Sequence, residues 1–485
     1  MGKYPEALAE LKKSLDIFLK VYGTERPHPD VAGSYNNIGN VYDSMGKYPE
    51  ALMEHKKCLA MRLKVYGTEK PHPSVAGSYG NIGNAYSNMS KYPEALAEYK
   101  KSLDVNLKVY GTEKPHPDVA TSYHNIGNVY SRMGKYPEAL AEYKKSLLMR
   151  LKVYGTETPH PYLGRSYGNI GLVYDSMGKY PEALTEYKKA LAIYLKVYGT
   201  EKPHPSVATI YHNIGGVYHS MGKYPEALAE LKKSLDIFLK VYGTEEPHPD
   251  VAGSYGNIGG VYDSMGKYPE ALAEYKKSLD IFLKVYGTET PHPDVATSYH
   301  NIGSVYDSMG KYPEALAEYK KSLVMRLKVY GTETPHPYLG RSYGNIGNVY
   351  SDMSKYPEAL AEYKKALAIY LKVYGTEKPH PDVAGSYGNI GNAYSNMSKY
   401  PEALAEYKKS LDIFLKVYGT ETPHPDVASS YHNIGGVYDS MGKYPEALAE
   451  YKKSLVMRLK VYGTETPHPY LGRSYGNIGT VYKKM

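Results

Sequence analysis

The sequence predicts an all-α solenoid, in which pairs of helices stack one after another, and two observations lead to this fold class. One 44-residue block occurs eleven times without insertion or deletion, with copies beginning at residues 1, 45, 89, 133, 177, 221, 265, 309, 353, 397 and 441. Each copy also contains two stretches whose apolar residues recur at helical spacing. A strict period of roughly 20–50 residues indicates units that contact only their neighbours. We therefore expect residues 1–485 to form a single solenoid domain.

The first predicted helix begins at Pro29 of the first copy, where a proline suits the first helical position. Its apolar positions recur every three or four residues, as expected for a helix with one buried face: Val31, Tyr35, Ile38, Tyr42 and Met45. Gly46 then ends the helix in the left-handed conformation. Ser90, Ser354 and Ser398 replace this glycine in three copies, and we expect those three helix ends to fray.

The second predicted helix covers about 18 residues, Pro93–Tyr110 in one copy, and ends at Gly111. Its apolar side contains no charge in that copy and consists of Ala95, Leu96, Tyr99, Leu103 and Leu107. A glycine inside the first helix, Gly39 and its equivalents, costs about 1 kcal/mol relative to alanine. It therefore predicts a place where two helices pack closely.

Composition excludes several functional classes. The net charge of +8 is spread over the whole chain rather than clustered, so we expect no nucleic-acid partner. No apolar run approaches the roughly 20 residues that span a bilayer, so we expect no membrane partner. One cysteine, Cys58, excludes a disulfide framework and favours a reducing compartment, and with no N-terminal targeting segment it predicts a cytoplasmic protein.

No catalytic, phosphate-binding or metal-binding motif occurs. The histidine of each linker, His28 in the first copy, lies alone between two prolines and is interpreted as a turn residue. Every acidic residue that could serve in catalysis recurs in most copies, whereas an active site is normally asymmetric. We expect a protein that is not an enzyme and holds no cofactor and no metal.

The residues carry a family resemblance. Tyr35, Ile38, Gly39 and Tyr42, followed by Gly46, Tyr48, Ala51 and Leu52, resemble the tetratricopeptide repeat, whose usual unit has about 34 residues. The linker and the longer second helix resemble the kinesin light chain and nephrocystin type. The resemblance implies a right-handed superhelix whose concave face holds a peptide or protein partner, although one fold can serve many functions.

Differences between the copies fall on one face of the first helix. The variable positions are Gly33, Asn36, Asn40 and Asp43 in the first copy, and the resemblance places them on the concave face. Undirected drift on an exposed face is an equally good interpretation.

An asparagine near these variable positions never changes. We call this set the asparagine ladder: Asn37, Asn81, Asn125, Asn169, Asn213, Asn257, Asn301, Asn345, Asn389, Asn433 and Asn477. An amide both donates and accepts hydrogen bonds, as an extended peptide backbone requires. In the resembling family this asparagine contacts bound peptides, so we predict that the ladder does so here. The alternative is a structural bond to a neighbouring helix.

Three copies carry an arginine four residues before a ladder asparagine: Arg165, Arg341 and Arg473. Guanidinium binds carboxylate bidentately, so these positions predict a preference for acidic peptide segments. An exposed arginine without any partner is the alternative.

The functional prediction is a scaffold that binds an extended peptide or protein partner along its concave face. Both ends of the array are expected to be open, because no polar capping unit is recognisable. A structural array that self-associates head to tail is one alternative, and a recruitment arm of a larger multidomain protein is another.

Overall fold

The computed structural model describes residues 3–24, 26–112, 114–331, 335–463 and 468–485. Within these ranges the regular structure consists of 22 α-helices, two for each 44-residue period. The predicted all-α class is confirmed, and so is the pairing of a shorter first helix with a longer second helix.

The chain divides into two compact units, of which the first is Met1–Gly243. Its second-type helices have 19 residues and its first-type helices have 16. They are, in chain order, α1 (Tyr4–Tyr22), α2 (Pro29–Ser44), α3 (Tyr48–Tyr66), α4 (Pro73–Asn88), α5 (Tyr92–Tyr110), α6 (Pro117–Arg132), α7 (Tyr136–Tyr154), α8 (Pro161–Ser176), α9 (Tyr180–Tyr198), α10 (Pro205–Ser220) and α11 (Tyr224–Tyr242).

The second unit is Thr244–Met485 and is built in the same way. Its helices are α12 (Pro249–Ser264), α13 (Tyr268–Tyr286), α14 (Pro293–Ser308), α15 (Tyr312–Tyr330), α16 (Pro337–Asp352), α17 (Tyr356–Tyr374), α18 (Pro381–Asn396), α19 (Tyr400–Tyr418), α20 (Pro425–Ser440), α21 (Tyr444–Tyr462) and α22 (Pro469–Lys484).

The linker histidine caps the first helix. Nδ1 of His28 accepts a hydrogen bond from the backbone N–H of Asp30 at 3.2 Å, which satisfies one of the free donors at the helix start. The imidazole also stacks on Tyr22 with 3.4 Å between ring centroids. The turn-residue interpretation is therefore sharpened, because this side chain joins the end of one helix to the start of the next.

The expectation of frayed ends at the three serines is wrong. Ser90 adopts a φ of 58°, close to the 71° of Gly46. The cap bond that follows is the same in both copies, since the N–H of Lys91 donates to Tyr86 O at 2.9 Å and that of Lys47 donates to Tyr42 O at 2.9 Å. The bonds of the cap hold a residue with a Cβ in the left-handed region, and the helix keeps its full length.

Close packing at the first-helix glycine is confirmed. A Cβ added to Gly83 would lie 2.8 Å from the ring of Tyr99 on the paired second helix, and Gly347 meets Tyr363 in the same way at 2.6 Å. Real Cβ atoms do not approach ring carbons this closely, so the position requires glycine.

A second small-residue contact joins the same two helices of a pair. Ala384 packs with Phe414 and Val427 in one buried cluster. Where the second helix carries tyrosine instead of phenylalanine, the facing residue is glycine. The site for a Cβ on Gly164 lies 2.8 Å from the ring of Tyr194, and that on Gly340 lies 2.7 Å from Tyr370.

Candidate functional site

One of the four variable positions serves packing within the helix pair. Oδ1 of Asn84 accepts a hydrogen bond from the hydroxyl of Tyr99 at 2.6 Å. The same bond recurs at Asn128, Asn348 and Asn392. Leu172 occupies this position in one copy, and the buried hydroxyl of Tyr187 beside it lacks a partner within the described part of the chain. Where this position carries asparagine opposite a tyrosine, it therefore serves packing between the two helices.

Some ladder amides contact the first helix of the preceding copy. Nδ2 of Asn81 donates to Asn36 Oδ1 at 2.8 Å. Nδ2 of Asn169 donates to His124 Nε2 at 3.3 Å, and Asn477 lies 3.5 Å from His432 in the same arrangement. Each bond reaches the variable residue that precedes a ladder position, so the two sets of residues are adjacent.

Other ladder amides are available to a ligand. These side chains are exposed or half-buried, and none makes a hydrogen bond with a residue that the structure describes: Asn37, Asn125, Asn213, Asn301, Asn345, Asn389 and Asn433. In five of these seven copies the preceding copy has glycine at the variable position. Glycine there removes the partner that would otherwise occupy the amide.

The three predicted arginines are exposed, and none forms an ion pair with a carboxylate among the described residues. The guanidinium of Arg341 lies 5.8 Å from the ring centroid of Tyr338, and Arg473 has the same relation to Tyr470 at 5.9 Å. Their charge is therefore available to an anion.

A buried arginine accompanies each exposed one, and sequence reasoning missed it. Arg150, Arg326 and Arg458 lie on the second helix and are only 4–6 % exposed. Nη1 of Arg326 donates to Ser342 Oγ at 2.7 Å and to Tyr338 O at 3.3 Å. Burial lowers the pKa of its guanidinium. The copy at Pro93–Tyr110 has Asn106 at this position and therefore gives no sign of a buried charge. The signal that reveals the arginine is the comparison of all copies at this position.

Replacing this buried charge is expected to stabilise the second unit. Phe282 and Phe414 occupy the equivalent position in other copies, and Ser342 keeps its own bond to Tyr338 O at 2.9 Å. A buried cation without a carboxylate partner costs desolvation energy that a phenyl ring does not. We expect Arg326→Phe to raise the free energy of unfolding by about 1–3 kcal/mol in urea titrations. A loss of stability would show that the two hydrogen bonds outweigh desolvation.

Three histidines at the variable position next to the ladder are held neutral. His124 is 2 % exposed, and burial, helped by the cations Arg150 and Arg165, lowers its pKa to about 3. Burial and the two nearby arginines lower the pKa of His300 and of His432 to about 4. These copies therefore place an uncharged imidazole beside a ladder amide at neutral pH.

A cavity of about 370 Å³ in the second unit brings the predicted residues together. It is bordered by Arg341 and Asn345 of α16 and by Asn389 of α18. Buried aromatic rings of Tyr370 and Phe414 form part of its wall. Two ladder amides and one predicted arginine thus border one open space.

Other kinds of site find no support in the described ranges. No three His, Cys, Asp or Glu side chains converge there as metal ligands would. None of the helices there is at once long enough and apolar enough to cross a membrane. Cys58 is buried, with Sγ 3.5 Å from Ser78 Oγ, and burial raises the pKa of its thiol.

The chain belongs to the tetratricopeptide repeat family. The family profile matches residues 1–71, 74–152, 118–196, 206–284, 250–328, 294–372 and 382–460. The predicted family resemblance is therefore confirmed, and membership supports a role as an interaction scaffold. Curated protein sequences give no match.

Two solved structures share the fold with TM-scores of 0.50 or more. The apo form of RapI has a TM-score of 0.51 at 16% identity, over 81% of this chain and 99% of that one. The apo form of the quorum sensor NprR from B. thuringiensis has a TM-score of 0.50 at 16% identity, over 77% and 99%. A putative kinesin light chain from Podospora anserina with nearly identical repeats is 22% identical over 45% of this chain and 99% of that one, with a TM-score of 0.38.

Proposed function

We propose that this chain is a non-catalytic scaffold whose first helices hold an extended peptide, or an extended segment of a protein partner. The observation that supports this most directly is the cavity in which Asn345 and Asn389, one repeat apart, lie beside Arg341. Its volume falls within the range of roughly 300–1,000 Å³ that is usual for ligand sites.

The chemistry of the ladder suits a peptide main chain. Each amide offers a donor and an acceptor, and a stretched backbone presents both to its surroundings. Amides at a fixed position of successive first helices would hold the main chain without selecting its sequence. Selection would then come from the variable positions and from Arg165, Arg341 and Arg473.

The scaffold requires neither a cofactor nor a metal, and the lone buried cysteine favours a cytoplasmic location. Head-to-tail self-association is the second candidate function. The observation that favours it is the exposure of Tyr475 and Tyr482 on α22, which are 56 % and 53 % exposed. Sedimentation over a range of concentrations separates the two, since a scaffold of this kind stays monomeric and a self-assembling array grows.

Removing two ladder amides tests the peptide proposal. Peptides that bind the full chain are first selected from a display library of random dodecapeptides. The double variant Asn345→Ala/Asn389→Ala is expected to bind them at least tenfold more weakly, since each lost amide removes hydrogen bonds to the backbone. Fluorescence anisotropy with labelled peptides gives the dissociation constants.

The matched control is Asn396→Ala, which removes an exposed amide from the last turn of α18, outside the cavity. Its affinity should equal that of the unmodified chain. Circular dichroism confirms that both variants keep their helices. Equal affinity of the double variant and the control for every selected peptide would refute the role of the ladder.

A further inference from the structure

The cavity in the second unit has charges of opposite sign on successive first helices. Arg341 borders it from α16, whereas Asp382 borders it from α18 and Asp426 from α20. Going from α16 to α20 along the stack, a ligand would meet one positive and then two negative side chains. No described carboxylate lies within ion-pair distance of Arg341, so the opposite charges do not neutralise each other directly.

Both aspartates keep capacity for a ligand. Oδ2 of Asp382 accepts a hydrogen bond from the hydroxyl of Tyr374 at 2.9 Å, and Oδ2 of Asp426 accepts one from Tyr418 at 3.3 Å. Their side chains are 43% and 48% exposed. The tyrosines hold the carboxylates in place through one oxygen, and no described residue bonds to either Oδ1.

Glycines keep the space between these charges open. A Cβ added to Gly344 or to Gly385 would meet no atom within 4 Å. Between them, the nearly buried rings of Tyr370 and Phe414 offer an apolar wall against which the methylene stem of a long side chain can lie. The aromatic faces also favour a cation near the aspartates.

We propose that this cavity selects a peptide segment with an acidic residue toward α16 and a basic residue toward α20. The proposal rests on the scaffold function above and adds the chemistry of the segment that the cavity binds. Arg341 takes the carboxylate, Asp382 and Asp426 take the lysine or arginine, and the amides of Asn345 and Asn389 hold the backbone between them. Residues four apart in an extended chain are about 13 Å distant, which exceeds the roughly 8–10 Å between packed helices. With the acidic residue at Arg341 on α16, the basic residue four positions on therefore reaches Asp382 on α18, the next first helix.

The equivalent stretch of the first unit lacks this combination of charges. The equivalent stretch of α8 and α10 keeps Arg165 and the ladder amides Asn169 and Asn213. It has Ser206 in place of Asp382, and Thr209 in place of Gly385. This stretch of the first unit therefore has the positive charge of Arg165, but it lacks the aspartate and the space that the glycine leaves open.

Selected dodecapeptides and three protein variants test the proposal with the full chain. Binders from the random library should carry at least one acidic and one basic residue. Arg341→Gln should weaken the binding of a chosen peptide about tenfold. It should not weaken further the binding of the same peptide with its acidic residue changed to glutamine. Asp382→Asn/Asp426→Asn should also weaken the binding of the chosen peptide, but should not weaken further the binding of the peptide whose basic residue is changed to methionine. Lys328→Gln, which removes an exposed positive charge from the last turn of α15 outside the cavity, should leave all affinities unchanged.

Three results would overturn the proposal. Binders that are uniformly acidic would show that the aspartates take no part. The second contradicting result concerns the losses of binding free energy. If the loss from each protein variant and the loss from each peptide change simply add, then Arg341 does not pair with the peptide acid and the aspartates do not pair with the peptide base. In both cases the scaffold function would stand, provided that Asn345→Ala/Asn389→Ala still weakens binding. A library that yields no binder at all would overturn the scaffold function together with this proposal.

Discussion

Gly347→Ala is expected to destabilise the second unit by about 1–3 kcal/mol, although alanine is the better helix former. The added methyl would lie 2.6 Å from the ring of Tyr363. That ring is 4 % exposed and its hydroxyl donates to Asn348 Oδ1 at 2.8 Å, so it cannot move away without losing this bond. Urea titration followed by circular dichroism measures the loss.

The control for this prediction lies one helical turn away on α16. Gly344→Ala places its methyl in open space, with no atom within 4 Å. We expect this variant to gain up to about 1 kcal/mol from helix propensity. If both alanine variants changed stability in the same direction and by the same amount, the glycine at Gly347 would not be there for packing.

Acidification from pH 7 to pH 5 is expected to reduce the stability of the protein through His124, His300 and His432. In the unfolded chain these side chains bind a proton below a pKa of 6.5, whereas in the folded chain His124 does so only near 3 and the other two near 4. Between these values the unfolded state binds more protons, so stability falls as the pH falls. Each histidine contributes a loss of up to about 2 kcal/mol at pH 5.

Asparagine variants isolate this contribution. Asn36 occupies the same position in the first copy and accepts a hydrogen bond from the next ladder amide, Asn81, at 2.8 Å. The triple variant His124→Asn/His300→Asn/His432→Asn therefore keeps an amide partner and removes the titrating groups. Its stability should change less between pH 7 and pH 5 than that of the unmodified chain. Parallel pH dependences of the two proteins would rule out the histidines as the cause.

Much of the fold could be predicted because the repeat presents each local signal eleven times. Proline at the helix start, glycine at the helix end and the spacing of Val31 and Ile38 gave the helix positions to within about one residue. The glycine inside the helix predicted close packing, although the facing Tyr99 could not be named. Identifying it requires the relative rotation of the two helices, which sequence spacing leaves open.

The site could be predicted less completely. The ladder positions and Arg341 were recognisable, and the structure brings Asn345, Asn389 and Arg341 to one cavity. Asp382 does not stand out in the sequence, because aspartate recurs at this position in many copies and acidic residues are common in the first turn of a helix. The cavity is open because Gly344 and Gly385 have no side chains to fill it. Such an opening becomes visible only when the helices are placed side by side.

The matching of Gly164 to Tyr194 and of Ala384 to Phe414 restricts how such a gene can change. Near-identical copies recombine readily, and most exchanges would preserve the reading frame and the helix pattern. A junction that set alanine against tyrosine would force a methyl group to within about 2.8 Å of a ring, as it would at Gly164. Copies with nearly identical sequences therefore cannot all be placed next to one another, because the contacting residues of adjacent copies must match. Selection can act on the order of the copies as well as on their number.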